Sequence, residues 1–204
     1  MAGVLFALAT RTTPGDMVTA LLSPETLFAL RLSLVVSLTA VALSLIIGLP
    51  TAYLLARSRF PGKFLIEIFL DLPLVMTPLV AGMGLLFLFG PELLGDVAVS
   101  AGLDILFSPS GAVAAQTFIA TPIVIRNCKT AFEEQDYHYA WAGQNIGLSP
   151  FQIFVYITLP MIGHEITSSA ILAWTRAMGE FGATLMVAGA TRFKTETLPV
   201  AVYL

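Results

Sequence analysis

The sequence predicts an all-α polytopic membrane protein with about four to five transmembrane helices. Of its 204 residues, 57% are apolar and only 11% are charged, whereas soluble domains carry about 25% charged residues. The mean hydropathy is +0.87. The 25 residues between Arg31 and Arg57 carry no charge at all, which is enough to cross a hydrocarbon core about 30 Å thick. A lipid bilayer is therefore the expected solvent for most of the chain.

The first two spans follow from charge and proline positions. One is predicted over residues 27–56, around the uncharged stretch. The second is predicted over residues 64–89 as a helix that Pro73 and Pro78 break. Such breaks free backbone carbonyls, so broken helices usually face protein or a water-filled path. An exposed loop with acidic residues, glycines and prolines is expected next, at 91–109.

Two more spans are predicted over residues 111–130 and 163–190. The apolar ends, 1–10 and 198–204, are too short to cross alone and are interpreted as the ends of further helices, as expected for part of a longer protein. The short loop at 57–63 carries three Lys or Arg and the loop after the second span carries none. The positive-inside rule therefore predicts that the first of these loops is cytoplasmic.

Charge and side-chain chemistry argue against several function classes. Ten Lys and Arg against thirteen Asp and Glu give a net charge of −3, so nucleic-acid binding is not expected. Two histidines, His138 and His164, and one cysteine, Cys128, are too few ligands for a convincing metal site. No cofactor is expected. The sequence also lacks a phosphate-cradling Walker loop, so any ATP would bind to another chain.

Residues 133–160 are predicted to form a helix-turn-helix elbow outside the bilayer. Residues 137–163 carry no Asp, Glu, Lys or Arg, and a hydropathy window could mark them as a span. However, the segment contains Gln, Asn, Gly and Pro residues that would be costly facing lipid. We therefore interpret it as two short helices between spans.

Local signals place the turn of this elbow. The acidic residues at 133–136 favour a helix start, and Gly147 suits the left-handed position after that first helix. Ser149 fits an N-cap with Pro150 at the first position of a second helix, which Pro160 is expected to end.

The elbow has a partly apolar surface that two readings explain equally well. Its members are Tyr139, Ala140, Ala142, Gly143, Ile146, Phe151, Phe154 and Val155. This surface could dock into a groove of a partner protein. Alternatively, it packs on the cytoplasmic ends of its own helices.

Two groups of residues are candidates for a pore or gate. Arg176 and Glu180 lie four residues apart on one helical face, where an anion path could use the cation. A structural ion pair is the favoured alternative. The second group surrounds the predicted helix break and comprises Asp71, Pro73, Thr77 and Pro78. A simple kink would explain that group as well.

The elbow resembles a known signature. Four residues match the second half of the EAA loop, the cytoplasmic motif of ABC importer permeases: Gly147, Ile157, Leu159 and Pro160. Trp141-Ala142-Gly143 stands where that loop has Glu-Ala-Ala, so its acidic residue is absent. The run 174–189 resembles permeases for oxyanions, and the run 195–203 is more similar to the molybdate type than to the sulfate type.

The resemblance implies a truncated six-helix permease core that imports molybdate or tungstate and carries out no chemistry itself. Two copies would form the path, two ABC ATPase subunits would receive the elbows, and an external oxyanion-binding protein would deliver the ion. The coupling residues would be Tyr139, Ala140, Trp141, Ala142, Gly143, Ile146, Gly147, Leu148, Ile157, Leu159 and Pro160. A sulfate or thiosulfate permease is the alternative within transport. An intramembrane hydrolase is a rival of another class, but it would need a nucleophile, base and orienting group that converge.

Overall fold

A computed structural model of the chain describes residues 22–91, 93–100 and 104–203. The predicted N-terminal apolar end at 1–10 lies outside these residues. Every regular element in the described ranges is helical, which confirms the all-α prediction. The helices are α1 (Pro24–Arg57), α2 (Lys63–Val75), α3 (Pro78–Leu88), α4 (Gly95–Ser100), α5 (Pro109–Glu134), α6 (Tyr137–Asn145), α7 (Pro150–Met161), α8 (Gly163–Met178), α9 (Gly182–Ala188) and α10 (Leu198–Ala201).

Helix α1 is the longest element, with 34 residues. Ser23 caps its start by accepting a hydrogen bond from the Thr26 N–H, and Pro24 occupies the first turn. Its buried side is a stripe of small residues, whereas leucines, isoleucines and valines cover much of the opposite side. Small residues allow helices to approach closely in a membrane. A Cβ added at Gly48 would lie only 2.8 Å from Val124 Cγ1 of α5, so these two helices cross in close contact.

Helices α2 and α3 meet at a bend of 115°. The break falls at Met76 and Thr77, whose backbones are extended, because a residue before proline is disfavoured in the helical region. Pro78 then opens α3. Pro73 remains inside α2 and is buried, so the expectation that it also breaks the helix is wrong.

Helix α5 begins at Pro109 and continues to Glu134, beyond the expected end near residue 130. Ser108 caps it by accepting from the Gly111 N–H. The acidic pair Glu133 and Glu134 therefore lies in the last turn of α5, and not at the start of the elbow. The elbow begins instead at Asp136, which alone of these acids is an N-cap.

The segment predicted as a span over 163–190 is divided in two. Helix α8 ends at Met178, and α9 begins at Gly182. Between them Glu180 is buried, with 1% exposure, because its carboxylate serves contacts that a continuous helix would not permit.

Length and composition mark one unbroken membrane span among the described residues, namely α1. The bent pair of α2 and α3 qualifies as well if it is counted as one span. Helix α5 has 26 residues, about 39 Å, but polar and small side chains dilute its apolar content. Helix α8 has 16 residues and is short for a crossing.

The main core lies where α1, α5 and α8 pack together. Buried apolar side chains there include Leu55, Val124, Phe132 and Ala173. Hydrogen bonds between side chains also link the helices: the Trp174 indole N–H of α8 donates to Ser37 Oγ of α1 at 3.0 Å. Interhelical hydrogen bonds and close packing are the forces that associate helices in lipid.

Candidate functional site

The elbow comprises α6, α7 and the turn between them, residues 136–161. Asp136 caps α6 by accepting a hydrogen bond from the His138 N–H at 3.0 Å, and its Oδ1 also lies 2.5 Å from His138 Nδ1. The backbone bond and the side-chain bond to His138 lower the pKa of this exposed carboxyl from its ordinary value. The cap is thus strongest when Asp136 is ionised.

The turn of the elbow has the predicted residues in the predicted places. Gly147 adopts φ +85°, in the left-handed region. The Leu148 N–H donates to the Gly143 carbonyl at 3.1 Å, and the Gly147 N–H donates to the Gln144 carbonyl at 3.0 Å. These bonds satisfy carbonyls left open at the end of α6. The left-handed conformation is one that residues with a Cβ adopt only at a cost.

Helix α7 starts with a capping box. Ser149 Oγ accepts from the Gln152 N–H at 3.3 Å, and Gln152 Oε1 accepts from the Ser149 N–H at 2.8 Å. Reciprocal caps of this kind fix a helix start. With Pro150 in the first turn, the entry into α7 is held by purely local chemistry.

Helix α7 continues through Pro160, which was expected to end it. Residues Phe154–Thr158 form a π-helical turn, and a new α-helical segment starts at Leu159. Pro160 lies in the first turn of that segment, where its missing N–H needs no partner. The prediction placed a stop where the structure has a change of helix type.

The two arms of the elbow contact each other through a glycine. A Cβ added at Gly143 would lie 2.8 Å from Ile157 Cδ1 and 3.1 Å from Ile153 Cγ1. Gly143 is accordingly buried between α6 and α7, and Ile157 fills the contact. Of the predicted elbow surface, Gly143 therefore faces inward.

Large side chains cover the outer side of the elbow. Those exposed by more than half are Tyr139, Trp141, Ile146, Phe151 and Tyr156. Ala140 and Leu148 are half-buried, whereas Ala142, Gly147 and Pro160 are exposed. These exposed apolar and aromatic side chains are typical of protein-docking surfaces, and exposed Gln144, Asn145 and Gln152 lie among them in the sequence.

The inner side of the elbow is joined to the spans by aromatic packing. Tyr53 of α1 contacts Phe132 of α5 at 5.4 Å and Phe154 of α7 at 4.8 Å between ring centroids. Phe154, predicted to be on the elbow surface, is part of this cluster. Leu159 also packs against the main core.

A polar chain runs parallel to the aromatic cluster. The Arg57 Nη2 donates to Gln135 Oε1 at 3.3 Å, and the Gln135 Nε2 donates to the Thr158 carbonyl at 3.4 Å. Gln135 thus connects the end of α1 with the π-helical turn of α7. Sequence reasoning missed Arg57, Gln135 and Tyr53 as parts of the site, because their partners are distant in sequence.

The gate candidates Arg176 and Glu180 form an ion pair. Arg176 Nη1 lies 2.6 Å from Glu180 Oε2, and Glu180 Oε1 accepts from the Ala183 N–H at 3.0 Å. The arginine side chain is 38% exposed and that of the glutamate is 1% exposed. Glu180 therefore bridges the end of α8 and the start of α9 while it holds the arginine.

The helix bend and the helix break lie next to each other. A Cβ added at Gly182 would be 3.1 Å from both Pro78 Cβ and the Leu79 nitrogen, and one at Gly82 would be 2.8 Å from Ala183 Cα. Helices α3 and α9 therefore pack backbone to backbone. The sequence pattern predicts close approach at Gly182 but does not identify α3 as the partner.

The remaining gate candidates lie in different surroundings. Thr77 and Pro78 lie at the bend, beside α9. Pro73 borders an apolar groove, and Asp71 borders a cavity that also involves Arg126. Within the described part of the chain, no three His, Cys, Asp or Glu residues are grouped as metal ligands would be.

Comparison with known proteins identifies a family and several relatives. A family model described as "Binding-protein-dependent transport system inner membrane component" matches residues 44–199. The chain is 38% identical over 175 residues to the sulfate transport system permease protein CysW of Synechocystis, which covers 85% of this chain and 63% of that protein. It is 35% identical over 183 residues to the molybdenum transport system permease protein ModB of Mycobacterium tuberculosis, covering 89% and 69%.

A further relative is the ModB protein of Haemophilus influenzae, at 36% identity over 177 residues, covering 86% of this chain and 77% of that protein. The chain thus spans about two thirds of the length of these relatives. One of these three relatives is named as a sulfate permease and two are named as molybdenum permeases.

Proposed function

This chain belongs to the family of binding-protein-dependent transport system inner membrane components, and from that premise we propose that it is the permease subunit of an ATP-driven importer of molybdate or tungstate. Two copies form the translocation path in the cytoplasmic membrane, each crossing it several times. Two ABC ATPase subunits bind from the cytoplasm, and an external binding protein delivers the oxyanion. The chain itself is not catalytic, because ATP is hydrolysed in the partner subunits.

The observation that carries this proposal is the two-sided elbow. Its outer side exposes Tyr139 by 54%, Trp141 by 59% and Phe151 by 74%, large anchors of the kind that fill pockets in a partner. Its inner side is tied to α1 and α5 by the aromatic cluster and by Gln135. A body that is bound to a partner on one side and to the spans on the other can transmit movement.

ATP binding and the movement of the spans are coupled because the elbow moves as a rigid body. When the ATPase subunits close on ATP, the docked elbow moves with them, and α7 carries that movement to Phe132 and Tyr53. Packed helices shift between discrete arrangements because they do not deform continuously. We infer that the shift reaches the bend at Thr77 and the break at Gly182, where α3 and α9 meet.

Arg176 is a cation that the path can use. Its contact with Glu180 leaves 38% of its side chain exposed, so a passing dianion can share its charge without being held by a fixed positive site. Weak binding of this kind suits transport, since an ion must be able to leave. The ion pair thus serves both packing and passage in this proposal.

Sulfate is the second candidate substrate, because one relative with 38% identity is a sulfate permease by name. We prefer molybdate and tungstate because residues 195–203 are more similar to the molybdate type of permease than to the sulfate type. In this segment Thr195 and Thr197 are fully buried and Glu196 is 4% exposed.

The experiment is ATP hydrolysis by the complex reconstituted with its ATPase subunits and its binding protein. Molybdate or tungstate should stimulate hydrolysis at lower concentrations than sulfate does. Stimulation by sulfate alone would show that the substrate is sulfate, and the proposal of an importer would stand. If no tetrahedral oxyanion stimulates the complex, the proposed function is wrong.

A further inference from the structure

Four charged residues close the space between α2 and α5 at the end that carries the 57–63 loop. Lys129 Nζ lies 2.7 Å from Glu67 Oε1 and 3.6 Å from Glu133 Oε1, and Lys63 Nζ lies 3.7 Å and 3.8 Å from the same two oxygens. Two cations and two carboxylates neutralise each other here. The network leaves no net charge to attract a ligand.

A cavity of about 180 Å³ lies next to this network. Arg126 and Asp71 both border it, and among the described residues neither side chain has a hydrogen bond or an ion pair. Asp71 is two turns beyond Lys63, about 12 Å along α2. Ionisable groups at such a depth normally have a partner. The cavity therefore offers one unpaired positive and one unpaired negative group.

An apolar groove of about 440 Å³ adjoins the charged cavity. Leu70 borders both spaces, so the groove lies beside the cavity. The groove arises because the bend directs α3 away from the line of α2, and α1 and α5 form its other walls. Its side chains include Leu43, Phe69, Pro73, Leu88 and Phe118.

We propose that this pair of spaces binds one phosphatidylethanolamine molecule, with its headgroup in the charged cavity and an acyl chain in the groove. The guanidinium of Arg126 binds the phosphate, since arginine matches phosphate oxygens with several donors. The carboxylate of Asp71 accepts hydrogen bonds from the primary ammonium. The opposite charges of the headgroup thus complement the two unpaired side chains. The apolar groove beside the charged cavity matches the acyl chain that follows the headgroup in a lipid.

The charge of the headgroup determines which class of lipid fits the cavity. Basic pockets between membrane helices select anionic headgroups, but here the carboxylate of Asp71 would repel a second negative group. A choline headgroup carries the right charge but has no N–H to donate to Asp71. A zwitterion whose ammonium group carries N–H donors, as in phosphatidylethanolamine, satisfies both side chains.

The test is native mass spectrometry of the intact permease complex, titrated with defined lipids in detergent. Phosphatidylethanolamine should bind at least about tenfold more tightly than phosphatidylglycerol or phosphatidylcholine, as expected for one hydrogen bond between charged groups. Arg126→Gln and Asp71→Asn should each remove that preference. Arg59→Gln and Glu134→Gln change the same charges at exposed positions outside the cavity and should leave it intact.

A second set of variants tests the acyl chain. Ala114→Phe fills the groove and should lower retention of the lipid about tenfold, by loss of buried apolar area, whereas Leu54→Phe on the exposed side of α1 should not. Equal binding of all three lipids would overturn the proposal. It would also be overturned if Asp71→Asn left the preference unchanged, or if inorganic phosphate displaced the lipid, which would indicate a site for a free anion. Unchanged retention in Ala114→Phe would show that the acyl chain does not lie in the groove and would also overturn the proposal.

Discussion

Replacing Gly147 with valine isolates the role of the elbow turn. Gly147 has φ +85°, a conformation that costs a residue with a Cβ about 1–2 kcal/mol and costs more for a β-branched one. A Cβ there would meet nothing within 4 Å, so backbone strain is the whole perturbation. A penalty of about 2 kcal/mol lowers the population of the intact turn about thirtyfold relative to an opened turn.

The assay is binding of the ATPase subunits to the purified permease, followed by ATP-driven uptake. Gly147→Val should weaken binding, by up to about thirtyfold, if the ATPase subunits recognise only the intact turn, and an excess of those subunits should restore part of the uptake. Gly163→Ala is the matched control, because that glycine lies just after the elbow, has no positive φ and also has open space around its Cβ. Wild-type binding and uptake by Gly147→Val would refute the reasoning.

Three further predictions concern stability. Gly82→Val should lower the free energy of unfolding in detergent by about 1–3 kcal/mol, because the added side chain overpacks against α9. Thermal unfolding measures this change. The control Gly84→Ala meets open space and should change the free energy of unfolding little. Glu180→Gln should cost about 1–3 kcal/mol, because Arg176 loses its charged partner, and adding Arg176→Met should recover part of this in the same assay. The lowered pKa of Asp136 means that its cap is present above the ordinary value of 3.8 and is lost as the pH falls through the lower pKa of the folded state. Protection of the first turn of α6 against hydrogen exchange, taken relative to the intrinsic exchange rate at each pH, should therefore fall at acidic pH. Asp136→Asn should abolish that dependence, and a dependence that persists in the variant would assign it to another group.

The turn of the elbow could be predicted from the sequence because its determinants are local. Gly147, Ser149 and Pro150 each act on backbone within four residues, so their spacing already specifies the geometry. The predicted end at Pro160 lies one residue before the observed end at Met161, but the prediction missed the π-helical turn, Phe154–Thr158, that places the proline in a new first turn. Sequence spacing alone does not reveal a change of helix type.

Contacts between distant segments could not be predicted. The approach of Gly82 to Ala183 and the chain from Arg57 through Gln135 to α7 join residues that are far apart in sequence. The same holds for the break after Met178. Hydropathy marks the segment around it as one apolar run, but the run cannot show that Glu180 is needed to bridge two helices.

The central claim is that the elbow couples ATP hydrolysis in partner subunits to movement of an oxyanion through this chain. Uptake of labelled molybdate and hydrolysis of ATP, measured together in proteoliposomes that hold the complex and its binding protein, test it most directly. We predict ATP-dependent accumulation, with Gln135→Ala retaining ATPase binding and hydrolysis but lowering uptake per ATP hydrolysed, since that change removes the hydrogen-bonded link from α7 to α1 and leaves only the aromatic one. Accumulation that proceeds without ATP, or uptake that stays in proportion to hydrolysis in Gln135→Ala, would contradict it.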